Sequence, residues 1–195
     1  MILEYKNVLS PELCKNIIDR FESDERKMPG MVIYENETER TIHTNNDVKV
    51  TTDIPFSKLY DWNDIKYDIF AHMPTYIEKY IEEINKKQLI PKKILYPYFH
   101  NIETPWANIQ RTDKNGYFNW HSDYVDSEKR VLAFIFYLNT LDDSEGGETE
   151  FYNGVKIKPE EGKLILFPSD VIHFHRGCRV KTDKSKYIIA GFICK

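Results

Sequence analysis

Apolar residues recur at fourfold spacing near the start of the chain: Leu13, Ile17 and Phe21, with Ile18 beside them. Ser10 is a good N-cap, Pro11 suits the first helical position and Glu12 favours the positive end of the dipole, so the pattern predicts an amphipathic helix over Pro11 to Ser23. Residues 24 to 53 carry little periodicity and are mostly polar, with Pro29-Gly30 as a turn signal. A segment of this length is a candidate lid or binding loop; the plainer alternative is a surface excursion with a short hairpin. A second helical pattern runs from Asp61 to Lys87, its apolar face made by Ile65, Ile69, Met73, Ile77, Tyr80, Ile81 and Ile84, with Pro74 set to kink or divide it.

Beyond Pro91 the pattern changes. Short β-branched or aromatic runs follow one another between turn residues. They are Ile94–Phe99, Trp106–Gln110, Tyr117–Asp123, Val131–Leu138, Thr149–Tyr152, Lys163–Phe167, Ile172–His175 and Tyr187–Cys194, and Asn153-Gly154 reads as a tight hairpin turn. Helices first and many short strands after them predict an α+β protein: a β-sandwich or barrel carrying helices on one side. The 195 residues suit one domain, helical over about 1–90 and β-rich over about 91–195.

Composition narrows the function classes. Lys plus Arg is 27 against 31 Asp plus Glu, a net charge of −4, which disfavours nucleic acid and anionic membranes as partners. The longest apolar run, Val131 to Leu138, is far short of the roughly 20 residues that span a bilayer, and the N-terminal stretch does not read as a signal peptide. Three widely spaced cysteines (Cys14, Cys178, Cys194) form neither a disulfide framework nor a metal finger. The expectation is a soluble, cytoplasmic protein.

Chemistry concentrates in two places. His121-Ser122-Asp123 ends a strand-like run, and strand alternation would turn His121 and Asp123 to one face. Val171-Ile-His-Phe-His-Arg-Gly177 offers His173 and His175, again two apart. Two imidazoles and one carboxylate leave open positions on a metal, an arrangement that suits non-haem Fe(II). A chelating 2-oxo acid would need a cation for its distal carboxylate. Lys181, Lys184 and Lys186 follow the histidine pair, and Lys186, opening the last strand, would be the best fixed.

Taken together these residues resemble the Fe(II)- and 2-oxoglutarate-dependent dioxygenases, in the prolyl 4-hydroxylase-like branch that includes small phage and bacterial members. The matching segments are Asn7-Val-Leu-Ser-Pro-Glu-Leu-Cys14, Gly116-Tyr-Phe-Asn-Trp-His-Ser-Asp123, Arg130-Val-Leu-Ala-Phe-Ile-Phe-Tyr-Leu-Asn139, Gly146-Gly-Glu-Thr-Glu-Phe151, Gly162-Lys-Leu-Ile-Leu-Phe-Pro-Ser169, His175-Arg-Gly-Cys178 and Lys186-Tyr-Ile-Ile-Ala-Gly-Phe192. The resemblance implies a double-stranded β-helix, or jelly roll, with supporting N-terminal helices. It implies Fe(II) held by His121, Asp123 and His175, with His175 preferred to His173 because the family's distal ligand is closely followed by a glycine. It implies Lys186 as the cation for the 2-oxoglutarate carboxylate, with Lys184 as the alternative because the interval from His175 is slightly long.

Tyr137 matches a tyrosine that hydrogen-bonds the same carboxylate, and Arg130 a position near the substrate; Trp120 is a candidate to flank the iron site. Each of these three also has a plain structural reading. Thr112 departs from the pattern, standing where relatives often carry a tyrosine. The implied activity is hydroxylation of a C–H bond, first of all in peptidyl proline (procollagen-proline 4-dioxygenase-like), using dioxygen, yielding succinate and CO2, and with ascorbate as an optional helper. The retained carboxylate of Asp123 favours hydroxylation over the halogenation of relatives that lack it. The alternatives are another substrate of the same reaction (a free amino acid, another side chain or a nucleobase) and a non-catalytic jelly-roll binding module.

Overall fold

A computed structural model describes all residues except 36, 37, 88 and 105. Its elements, in order, are β1 (Leu3–Tyr5), α1 (Pro11–Ser23), β2 (Met28–Pro29), β3 (Met31–Glu35), β4 (Arg40–Thr44), β5 (Lys49–Val50), β6 (Thr52–Ile54), α2 (Asn63–Phe70), α3 (Met73–Lys86), α4 (Lys92–Leu95), β7 (Ala107–Thr112), β8 (Tyr117–His121), β9 (Arg130–Tyr137), β10 (Thr149–Phe151), β11 (Lys156–Ile157), β12 (Leu164–Pro168), β13 (His175–Gly177) and β14 (Lys186–Cys194). Every strand pairing described is antiparallel. One sheet has seven strands in the order β1-β12-β9-β14-β7-β6-β2, a second has five in the order β11-β10-β13-β8-β5, and β3 and β4 form a separate hairpin.

The long apolar strands are continuous because both of their faces are covered. Along β9, Leu132, Phe134 and Phe136 join a core shared with Ile17, Phe21, Trp62, Ile65 and Ile81 of the helical layer. The intervening Ala133, Ile135 and Tyr137 join a second core with Phe151, Ile157 and Phe167. The seven-stranded sheet is therefore sandwiched, helices on one side and the smaller sheet on the other.

Helix α1 starts as its residues require, with Ser10 Oγ accepting from the Leu13 N–H at 3.1 Å. The second helical pattern is divided rather than kinked. It breaks at residues 71 and 72, and Pro74 lies in the first turn of α3, where a missing N–H costs least. Two expected strands are not strands. Ile94–Phe99 lies in α4 and a following 3₁₀ turn, where Pro91 and Pro97 favour turns over a ladder. Ile172–His175 enters the ladder only at His175. The polar segment 24–53, with little periodicity, contributes β2 to β5, so the first ninety residues are more than helices. No helix among the described residues is long and apolar enough to cross a membrane.

Candidate metal centre

Strands β8 and β13 pair antiparallel, and their register sets His121 directly opposite His175. The two rings lie 4.2 Å apart. Strand β8 ends at His121, and Asp123 lies two residues on, in the segment that leaves the strand. Its Oδ1 lies 3.8 Å from His121 Nε2 and its Oδ2 3.6 Å from His175 Nε2. One ligand atom from each residue lies within 4.8 Å of the others. That segment is pinned on both sides: Ser122 Oγ donates to the Asp170 carbonyl at 2.9 Å and accepts from the Tyr124 N–H at 3.1 Å.

Each imidazole is oriented by its other nitrogen. His121 Nδ1 faces the Asn119 carbonyl at 2.8 Å, and His175 Nδ1 faces the His173 carbonyl at 3.1 Å. A carbonyl only accepts, so both Nδ1 atoms carry the proton and both Nε2 lone pairs point toward Asp123. Phe118 stacks on His121 at 3.6 Å, and Phe151 and Phe167 pack around His175. Desolvation, reinforced by His175, holds the His121 pKa well below 6.5, which keeps the ring neutral. Two imidazoles and a carboxylate, with no fourth His, Cys, Asp or Glu ligand grouped with them among the described residues, fit a divalent iron with open positions. His173 lies outside the group; its Nδ1 meets Asp170 Oδ1 at 2.7 Å.

The three residues open into a cavity of about 370 Å³. Lys186 lines its wall, almost wholly buried, and donates to the Gly147 carbonyl at 3.0 Å. Burial pushes its pKa down from 10.5 to about 8. Lys184 instead lies half-exposed beside Glu145. Thr112 is buried in the cavity wall and sits opposite Lys186 across the β7–β14 ladder. Tyr137 reaches the cavity through Thr149, a wall residue to which its hydroxyl donates at 2.6 Å. Trp120 stands half-exposed at the cavity, with the Arg176 guanidinium 4.8 Å from its ring centre. Arg130 lies over the Phe192 ring at 3.5 Å, pairs with Glu128 at 2.7 Å and donates to the Asp123 carbonyl at 3.0 Å.

Reading the sequence missed Lys49 and Asp53, a buried ion pair at 2.6 Å whose lysine lines the cavity. They fall in the aperiodic polar segment, where no pattern marks a buried charge. Asn108 and Gln110 also line the cavity; their alternation with Ala107 and Ile109 along β7 was the available signal.

Two facing antiparallel sheets, with two histidines and an aspartate grouped at a cavity, form an arrangement that suits a non-haem Fe(II) site. Residues 107–194 match the family model of the 2OG-Fe(II) oxygenase superfamily. The chain is 30% identical over 98 residues to a PKHD-type hydroxylase of Synechococcus sp. (strain CC9902), a match covering 48% of this chain and 44% of the relative, so it spans less than half of that protein. Among solved structures, it superposes on a Trichoplax adhaerens prolyl hydroxylase in complex with a hypoxia inducible factor peptide fragment at a TM-score of 0.69 and 16% identity, covering 99% of this chain and 83% of the other. A Pseudomonas putida prolyl-4-hydroxylase matches at 0.64 and 14%, covering 100% and 92%. The viral collagen prolyl hydroxylase of Paramecium bursaria Chlorella virus-1 matches at 0.58 and 18%, covering 98% and 94%.

Proposed function

We propose that the protein is an Fe(II)- and 2-oxoglutarate-dependent dioxygenase that hydroxylates a prolyl residue in a peptide or protein. The observation that carries this reading is the convergence of His121, Asp123 and His175 on a cavity whose wall holds the buried cation Lys186. In this reading the two facing sheets are the double-stranded β-helix, and residues 1–195 make one catalytic domain, placed in the cytoplasm, where Fe(II) stays available.

Bound Fe(II) and 2-oxoglutarate supply the dioxygen chemistry that hydroxylates a C–H bond and yields succinate and CO2. The chain's own residues orient and enclose. His121 and His175 offer neutral Nε2 donors, and Asp123 brings the negative charge that offsets the metal's. Lys186 gives the distal carboxylate of the cosubstrate a point charge in a dry wall, where an ion pair is worth more than in water. Thr149 and Thr112 offer hydroxyls beside it. Trp120 supplies an aromatic face at the cavity for a peptide carrying proline.

The test is incubation with Fe(II), 2-oxoglutarate and proline-rich peptides, followed by mass spectrometry. The expected result is a gain of one oxygen on a proline, abolished by His175→Ala. Succinate formation with no modified peptide would move the reading to another substrate of the same reaction.

A further inference from the structure

The β3–β4 hairpin shares no ladder with either larger sheet among the described residues, yet Met31, Val32, Ile33 and Tyr34 of β3 line the metal-site cavity. Its polar anchor lies on the turn that leads from the metal site into β9. Glu35 accepts from the Ser127 N–H at 3.1 Å and from the Ser127 hydroxyl at 2.9 Å. Arg40 donates to Ser127 Oγ at 3.2 Å and pairs with Glu128. Glu128 in turn accepts from Arg130 Nε at 2.8 Å, and Arg130 donates from its other arm to the backbone carbonyl of Asp123 at 3.0 Å.

Two further observations show that this path is held rather than incidental. The Arg130 side chain is 4% exposed, closed in by Phe192 and Trp106 and by the ion pair. Lys129, between the two paired residues, has a φ of 47°, a left-handed conformation that a lysine adopts only when its surroundings enforce it. A planar fork of N–H donors fixes a carboxylate and a carbonyl in one geometry, which the rotating ammonium of a lysine does not.

We infer that Arg130 and Glu128 are positioning residues for the metal ligand Asp123 and couple it to the β3–β4 hairpin, so that metal binding and hairpin docking favour each other. The inference rests on the reading that His121, Asp123 and His175 hold a metal, and it assigns Arg130 to the ligand's backbone rather than to the substrate. Coupling of this kind is reciprocal: what the hairpin contributes to metal affinity, the metal returns to the hairpin.

The experiment uses Co(II) as the probe, with neither cosubstrate nor peptide present. Co(II) binding is titrated by its visible absorption in the wild type, Glu128→Gln, Arg130→Lys and the hairpin variant Arg40→Gln, and thermal melting confirms that each is folded. Glu128→Gln and Arg130→Lys should weaken Co(II) binding about 10-fold, the size expected for residues that orient a ligand. Arg40→Gln, on the partly exposed hairpin, should weaken it about 5-fold, and the Arg40→Gln/Glu128→Gln double variant should be no weaker than Glu128→Gln alone. In the wild type, Co(II) should slow amide exchange across residues 31–35 and 40–44, and in Glu128→Gln it should not. Unchanged Co(II) affinity in Arg40→Gln and Glu128→Gln would overturn the inference. Absence of Co(II) binding by the wild type would overturn the metal reading itself and this inference with it.

Discussion

The Lys186 ammonium donates to the carbonyl of Gly147 at 3.0 Å within the wall of the metal-site cavity. A dipole is all this contact offers the charge, and burial accordingly pushes the pKa down to about 8, with Cys178 and Glu148 opposing the shift. An arriving carboxylate would complete the site.

This gives a pH prediction. Below about pH 8 Lys186 is charged and 2-oxoglutarate binding is strongest; above it, affinity should fall by up to about tenfold per pH unit. Stability runs the other way. The folded pKa lies below the unfolded 10.5, so between those values the unfolded chain binds more protons and stability rises with pH. Calorimetry of 2-oxoglutarate binding to Mn(II)-loaded protein at pH 7 and pH 9 checks the first; a flat profile would remove Lys186 from the cosubstrate site.

The proposed metal ligands should separate cleanly from their neighbour. Asp123→Asn and His175→Ala should each lower divalent-metal affinity by more than about 100-fold, beyond what residues behind a ligand cost. His173→Ala should leave it nearly unchanged and cost about 1 kcal/mol of stability through the lost Asp170 contact. Equal losses in His173→Ala and His175→Ala, read by metal titration, would contradict the assignment.

The buried Lys49–Asp53 pair should behave as an all-or-none unit. Lys49→Met leaves a buried carboxylate whose remaining partner is the Thr51 hydroxyl at 2.7 Å. The expected loss is about 3–5 kcal/mol. Lys49→Met/Asp53→Leu should recover much of it. Urea unfolding of the two variants decides; additive losses would mean the charges act independently.

Two glycines with positive φ make a matched pair. Gly154 (85°) has open space where a Cβ would go, whereas at Gly146 (74°) a Cβ would stand 2.3 Å from the Arg179 carbonyl oxygen. Gly154→Ala should cost about 1–2 kcal/mol from backbone conformation alone. Gly146→Ala should cost clearly more, since backbone must move. Similar midpoints in urea would show that the Gly146 turn is soft.

What could be read from the residues alone was whatever periodicity or chemistry enforces. Helix α1 has its cap and apolar stripe, and β9 and β14 are too apolar to lie anywhere but inside. His121, Asp123 and Lys186 stand out by type and spacing. A short hairpin was one of two alternatives for residues 24–53, but its strands could not be located, because β3 and β4 cover a cavity rather than fill a core and so carry no clean alternation. Ile94–Phe99 misled because aromatic and β-branched residues satisfy a strand pattern even where Pro91 before them and Pro97 among them bend the chain. Alternation grouped His121 with Asp123, and the two do lie together, with Asp123 two residues past the end of β8.

The order of the large sheet bears on how the protein forms. Strand β14 lies between β9 and β7, although it follows both in the chain, and β1 pairs with the distant β12. The two halves of that sheet, β1-β12-β9 and β7-β6-β2, cannot join before β14 arrives, so closing the sheet needs contacts far apart in the sequence, and loop-closure entropy must be overcome before they form. Folding should therefore be slow and late relative to synthesis, with the apolar faces of β7 and β9 exposed in the meantime. For such a chain, assistance by a holdase chaperone during expression is a direct consequence of strand order.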